Sequence, residues 1–154
     1  MKKIKYSAVT ETVTILFIVL FLYTGICKLI DYSVIREQLA LTPILEPFAT
    51  IIARCLPWVE FLAVVLLAIP RWRLKGLYLS GALLVVFTMY ISGMLVFDSQ
   101  LPCSCGGVIE LLSWPQHIVL NLVLLVLSVA AIIAEHLNRI NTQFRLASIA
   151  LHPF

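Results

Sequence analysis

Four nearly unbroken runs of apolar residues divide the chain, at about 12–30, 51–69, 76–97 and 116–134. A helix needs about 20 residues to cross ~30 Å of hydrocarbon at 1.5 Å per residue, so each run has the length of a membrane span. The first carries no charge before Lys28, and the third is uncharged throughout. The second is the least ordinary, because it contains Arg54, Pro57 and Glu60. The fourth has His117 near its start. The runs are continuously apolar and do not alternate, which favours helices over barrel strands. The pattern predicts an all-α polytopic membrane four-helix bundle over residues 1–137, followed by a tail over 138–154.

The segments between the runs are of different kinds. Residues 31–50 are too polar and too proline-marked (Pro43, Pro47) to span, yet Ile35, Leu39, Leu41, Ile44, Leu45 and Phe48 keep part of their surface apolar. This predicts an interfacial segment after the first helix, a short helix plus a turn lying over the bundle. A mobile loop is the simpler alternative. The tail after Asn138 is amphipathic at best and is expected to lack fixed structure. Met1-Lys2-Lys3-Ile4-Lys5 resembles the basic start of a signal peptide. The apolar run behind it is too long for one, and no small-x-small cleavage site follows, so a retained helix is expected. The bulky Ile26 before Cys27 also makes a poor lipoprotein site.

Composition strengthens the membrane reading. Of 154 residues, 62% are hydrophobic and 12% charged, against roughly 45–50% and ~25% in soluble domains. A soluble chain of this kind could not cover its surface with polar groups. The net charge of +3 is small, and the basic residues form short clusters beside the spans, so a nucleic-acid surface is not indicated. Lys2, Lys3, Lys5, Arg71, Arg73, Lys75, Arg139 and Arg145 fall on one side of the four spans, and only Lys28, Arg36 and Arg54 on the other. The richer side is expected to be cytoplasmic, which puts both termini there. Trp58 and Trp114 then lie near the outer interface and Trp72 near the inner one.

Under that topology Cys27, Cys55, Cys103 and Cys105 all face the non-cytoplasmic side, where disulfides persist. Four cysteines allow three pairings. The pairs could be structural staples. Cys103 and Cys105 could instead form a redox-active centre, with Cys27 and Cys55 as resolving or structural partners. Thiolates of Cys103 and Cys105 could also bind a soft metal such as Cu(I) or Zn. A Cys-x-Cys bridge closes a very small ring, and its strain would make it a better oxidant than a relaxed bridge. Gly106 and Gly107 permit turns that other residues resist and leave room for a partner's backbone, and Pro102 fixes the backbone just ahead. The same loop could be a simple tight turn.

A second group of residues is polar at membrane depth. Glu60 lies roughly 13 Å into the second helix, where an ionisable group is costly and should face the bundle interior with a partner. Arg54 and His117 are the expected partners. Asn121 follows His117 by one helical turn, so both lie on one face, and Tyr90 approaches the same depth from the third helix. These residues could handle protons beside the cysteines. They could equally be hydrogen-bonding glue between helices. Ser113-Trp114-Pro115-Gln116 starts the fourth helix with an ordinary cap and a proline in the first turn.

Gly25-Ile26-Cys27-Lys28-Leu29, Leu56-Pro57-Trp58-Val59-Glu60, Pro102-Cys103-Ser104-Cys105-Gly106-Gly107 and Trp114-Pro115-Gln116-His117 with Asn121 together resemble the MauE-like branch of the DoxX-like membrane proteins, named for methylamine utilisation. The resemblance covers about 13–134. It implies a redox-associated four-helix membrane component that helps mature a disulfide-rich periplasmic partner. The architecture is also similar to the membrane oxidases of disulfide-bond formation and to vitamin K epoxide reductase, which use two cysteine pairs and a quinone. The chain departs from those enzymes: it has no Cys-x-x-Cys and no second close pair, and Cys27 and Cys55 stand where the family pattern does not place cysteine. The resulting expectation is a multi-pass protein of a bacterial inner membrane. It would support thiol–disulfide exchange with a periplasmic thioredoxin-like or cysteine-rich protein. The alternative is a non-catalytic scaffold or soft-metal-handling subunit whose outer loop docks a partner. The sequence requires no cofactor, and the resemblance admits a quinone.

Overall fold

The computed structural model describes residues 2–42, 45–97 and 114–151, with side chains over 8–42, 45–93 and 115–144. Among these the chain forms helices α1 (Lys2–Ile30), α2 (Tyr32–Ala40), α3 (Ala49–Ala68), α4 (Arg73–Phe97) and α5 (Trp114–Leu151), with a short 3-10 turn at Glu46–Phe48 and no strand. Four segments of the described residues are long and apolar enough to cross a bilayer: Ala8–Ile30, Glu46–Ala68, Arg73–Gly93 and Pro115–Phe144, with mean hydropathies of 2.4, 2.1, 1.6 and 2.6. The chain is an all-α, multi-pass membrane protein.

The four long helices close a ring. α1 packs most extensively on α3 and α4 on α5, while α1–α5 and α3–α4 complete the square. The connections alternate their directions. The C-terminal end of α1, the start of α3, the end of α4 and the start of α5 therefore share one end of the bundle, called here the Lys28 end. The turn between α3 and α4 defines the other, Trp72 end. That turn has a local cause: Pro70 disfavours helical backbone in the residue before it, and Ile69 is extended, with φ −91° and ψ 115°. Hydrogen bonds from Trp72 N to Ile69 O (2.9 Å) and from Gly76 N to Trp72 O (3.0 Å) then lead the chain into α4.

The distribution of polarity is turned inside out. Ile15, Val19, Ile51, Trp58, Met89 and Val126 are exposed on the outer surface, whereas Thr10, Glu60, Ser80 and Ser128 are buried among Phe17, Phe21, Leu67, Leu77 and Leu84. Lipid tails are as apolar as leucine, so burying leucine does not hold such a bundle together; close packing and hydrogen bonds between helices do. The Ser128 hydroxyl of α5 donates to the carbonyl of Leu77 in α4 at 3.3 Å. Phe17 and Phe21, one turn apart on α1, meet edge to face at 6.0 Å between ring centres.

The expected short helix after the first span is present. α2 follows α1 after a break at Asp31 and sits at the Lys28 end. Ile35 and Leu39, one turn apart, bury against Ala49 and Ala53 of α3, and Arg36 Nε donates to the Thr50 hydroxyl at 3.2 Å. The far end of the chain departs from expectation. Residues after Asn138 do not start a structureless tail; they continue α5 as helix to Leu151. Arg139 pairs with Glu135 one turn back at 3.0 Å and also donates to the Arg71 carbonyl at 3.4 Å. Such one-turn ion pairs favour helix after the apolar run has ended. α1 likewise begins at Lys2, well before its apolar run, because helix continues through polar residues that hydropathy alone does not count.

Candidate functional site

Glu60 is fully buried in α3, at 0% exposure, about 16 Å along the helix axis from Ala49. Its Oε1 accepts a hydrogen bond from Lys28 Nζ of α1 at 2.5 Å, forming an ion pair. The geometry follows from helix direction. Side chains lean toward the N-terminus of their own helix. Lys28, near the C-terminal end of α1, therefore leans into the bundle, and Glu60, on the antiparallel α3, leans back toward the Lys28 end. The ammonium also sits over the Phe87 ring of α4, 4.9 Å from its centre, a favourable site for a cation.

Gly25 allows the close approach. A Cβ there would lie 2.8 Å from Cε1 of Phe61 and 3.3 Å from Glu60 Oε2. Glu60 Oε2 has no hydrogen-bond partner among the described residues. Pro57, also buried, lies almost one turn before Glu60 inside the same helix and frees a backbone carbonyl there.

Beside the ion pair is a cavity of about 370 Å³. Its walls are mainly leucine, isoleucine and phenylalanine side chains from α1, α3, α4 and α5, with α2 closing over it through Ile35, Gln38 and Leu39. Lys28, Tyr90, His117 and Asn121 also face it. His117 is 4% and Asn121 8% exposed. They lie one turn apart on α5, sharing a face as expected.

The structure therefore brings Lys28, Glu60, Tyr90, His117 and Asn121 to one region near the Lys28 end. Arg54 is not among them: it is exposed. It precedes Glu60 by about 240° of helix rotation, so the two lie on different faces. Lys28, not Arg54 or His117, is the ion-pair partner of Glu60. Sequence reasoning counted Lys28 only as a charge flanking a span. The signal that could have found it is the lean of the two antiparallel helices toward each other. Cys27 is partly buried, Cys55 is exposed, and both are free thiols. Cys103, Cys105, Pro102, Gly106 and Gly107 lie outside the described residues.

What the arrangement can do chemically is limited and specific. A lysine ammonium has three N–H donors, and Glu60 takes one. The pair leaves the region without net charge, while Lys28, Tyr90, His117 and Asn121 offer polar contacts to whatever enters an otherwise apolar space.

The family model described as "Methylamine utilisation protein MauE" matches residues 6–134 of the chain, a range that includes every residue of the ion pair and the cavity. No curated protein and no solved structure matches. On the strength of that match over all four membrane helices, the chain belongs to the methylamine utilisation protein MauE family.

Proposed function

We propose that the protein supports thiol–disulfide exchange outside a bacterial inner membrane, with Cys103 and Cys105 as the exchanging pair. The observation that carries the reading is one of placement. α4 ends and α5 begins at the Lys28 end, so the chain from 98 to 113 leaves from and returns to the end of the bundle where the ion pair, His117 and Asn121 converge. Positive charge gathered at the Trp72 end, in Arg71, Arg73, Lys75 and Arg139, supports a cytoplasmic position for that end. The Lys28 end then faces the oxidising compartment.

In the exchange, a thiolate of a partner dithiol attacks the Cys103–Cys105 bridge and forms a mixed disulfide. The partner's second thiolate resolves it, leaving the partner oxidised and Cys103 and Cys105 as thiols. Two electrons and two protons move from partner to loop. His117, near the start of α5, is the nearest imidazole in sequence to the loop and the natural acceptor for such a proton. The partner is a periplasmic thioredoxin-like or cysteine-rich protein.

Trapping with an alkylating agent in intact cells tests this directly. Cys103 and Cys105 are expected to be found in both thiol and disulfide states. In Cys105→Ala, which cannot form the bridge, the remaining Cys103 thiolate is expected to attack the disulfide of the oxidised partner, the same exchange run in reverse. It accumulates as a mixed disulfide with one partner cysteine while the other partner cysteine leaves as a thiol. A loop that is always oxidised, in a protein whose Cys103→Ser variant retains full function in vivo, would assign the outer loop to docking instead. Labelling of Cys103 by an impermeant maleimide only from the cytoplasmic side would remove the proposal altogether.

A further inference from the structure

The cavity beside the ion pair has the size, placement and chemistry of a ligand site. Its volume of about 370 Å³ falls in the range of small-molecule pockets, roughly 300–1,000 Å³. α2 covers it at the Lys28 end through Ile35 and Leu39, which are themselves buried. On its rim, Val86 of α4 is 58% exposed on a helix that faces lipid. A molecule reaching the cavity past Val86 comes from the bilayer, which selects for lipophiles.

The polar groups narrow the choice further. Thr24, Lys28, Gln38, Tyr90, His117 and Asn121 come from four different helices to one cavity, while the remaining wall is apolar. An isolated buried lysine would recruit an anion. Here Glu60 already neutralises it, so an anionic head would bring an uncompensated charge into a low-dielectric space. A neutral head with an oxygen acceptor meets no such cost, and it finds donors in the ammonium N–H groups that Glu60 does not use and in the Asn121 amide.

We infer that this cavity binds a neutral lipophilic molecule with a carbonyl oxygen at its head and an apolar tail. That chemistry is shared by quinones with an apolar side chain and by neutral glycerol ester lipids. The head lies between Lys28 and Asn121, and the tail runs along Leu120 and Leu124 toward the lipid. The inference rests on the cavity and does not depend on the cysteines.

Equilibrium titration of the full chain in maltoside micelles tests it, with decylubiquinone, 1-decanoylglycerol and decanoate as probes. One-to-one saturable binding of at least one neutral probe is expected, and which of the two binds separates quinone from ester lipid. Asn121→Leu, close in size but without the amide, is expected to weaken that binding about tenfold, as loss of a buried hydrogen bond would. Leu120→Trp, which fills the cavity, is expected to abolish it. Helical content and monodisperse elution establish that each variant folds, and if Leu120→Trp does not, Asn121→Leu decides alone. The double variant Cys103→Ser/Cys105→Ser is expected to bind as the unaltered chain does, so a failure of thiol exchange leaves this result standing. Absence of saturable binding by both neutral probes, tighter binding of decanoate than of either, or neutral-probe affinity unchanged in Asn121→Leu would each overturn the inference.

Discussion

Lys28→Met is expected to lower the unfolding free energy by about 3–5 kcal/mol, and adding Glu60→Leu to it is expected to recover most of that loss. The reason is an asymmetry in buried ion pairs. Removing one partner leaves the other charge buried without compensation. Removing both replaces the pair with apolar volume that a membrane interior accepts. Glu60 sits at 0% exposure with Oε1 on Lys28 and Oε2 unpartnered among the described residues, so the single variant strands a carboxyl group with no other cation shown beside it. Reversible unfolding in mixed micelles by increasing dodecyl sulfate measures all four corners of the cycle. If the two single changes simply add in the double variant, within about 0.5 kcal/mol, the pair is not formed in the folded protein. The double variant also separates folding from function: it is expected to be a stable bundle whose cavity lacks its ammonium donor.

Gly76→Ala is expected to destabilise the bundle by about 1–3 kcal/mol, the usual range for overpacking, while Gly93→Ala is expected to stabilise it by about 0.5–1 kcal/mol. Both glycines are in α4, so the contrast isolates their surroundings. A Cβ at Gly76 would fall 2.8 Å from the backbone nitrogen of Leu67 and 3.0 Å from the backbone carbon of Leu66, in α3. Backbone atoms held in a helix cannot step aside. Among the described residues nothing lies within 4 Å of a Cβ at Gly93, so there the change only removes freedom from the unfolded chain. Gly25→Ala should fall between them, because its closest contact is the ring edge of Phe61, a side chain that can turn. The same unfolding titration ranks the three. Equal effects at Gly76 and Gly93 would mean that α3 and α4 do not approach as closely as described.

The spans were legible because their signal is one-dimensional. A run of apolar residues long enough to cross hydrocarbon has few other fates, so α1, α3, α4 and α5 follow from hydropathy and length, and Ile35 and Leu39 mark the buried face of α2 by their one-turn spacing. Helix ends were less legible. Polar residues before Thr12 and after Ala134 carry no hydropathy signal, yet they extend α1 and α5 because helical hydrogen bonds and pairs such as Glu135–Arg139 need no apolar face.

Sequence alone determined that this chain crosses a membrane four times, that Glu60 must be buried with a partner, and that His117 and Asn121 share a face. Each of these depends on spacing along one helix or on the cost of a charge in lipid. Which residue neutralises Glu60, whether Arg54 faces inward, and that a cavity opens between α1, α3, α4 and α5 beneath α2 were decided only by tertiary structure. Those depend on which faces of different helices meet, and on Gly25 letting α1 come close enough to α3 for Lys28 to reach across. Contacts between residues as far apart in sequence as Lys28 and Glu60 leave no periodic trace in the chain, because periodicity reports the face of a helix and not what that face touches.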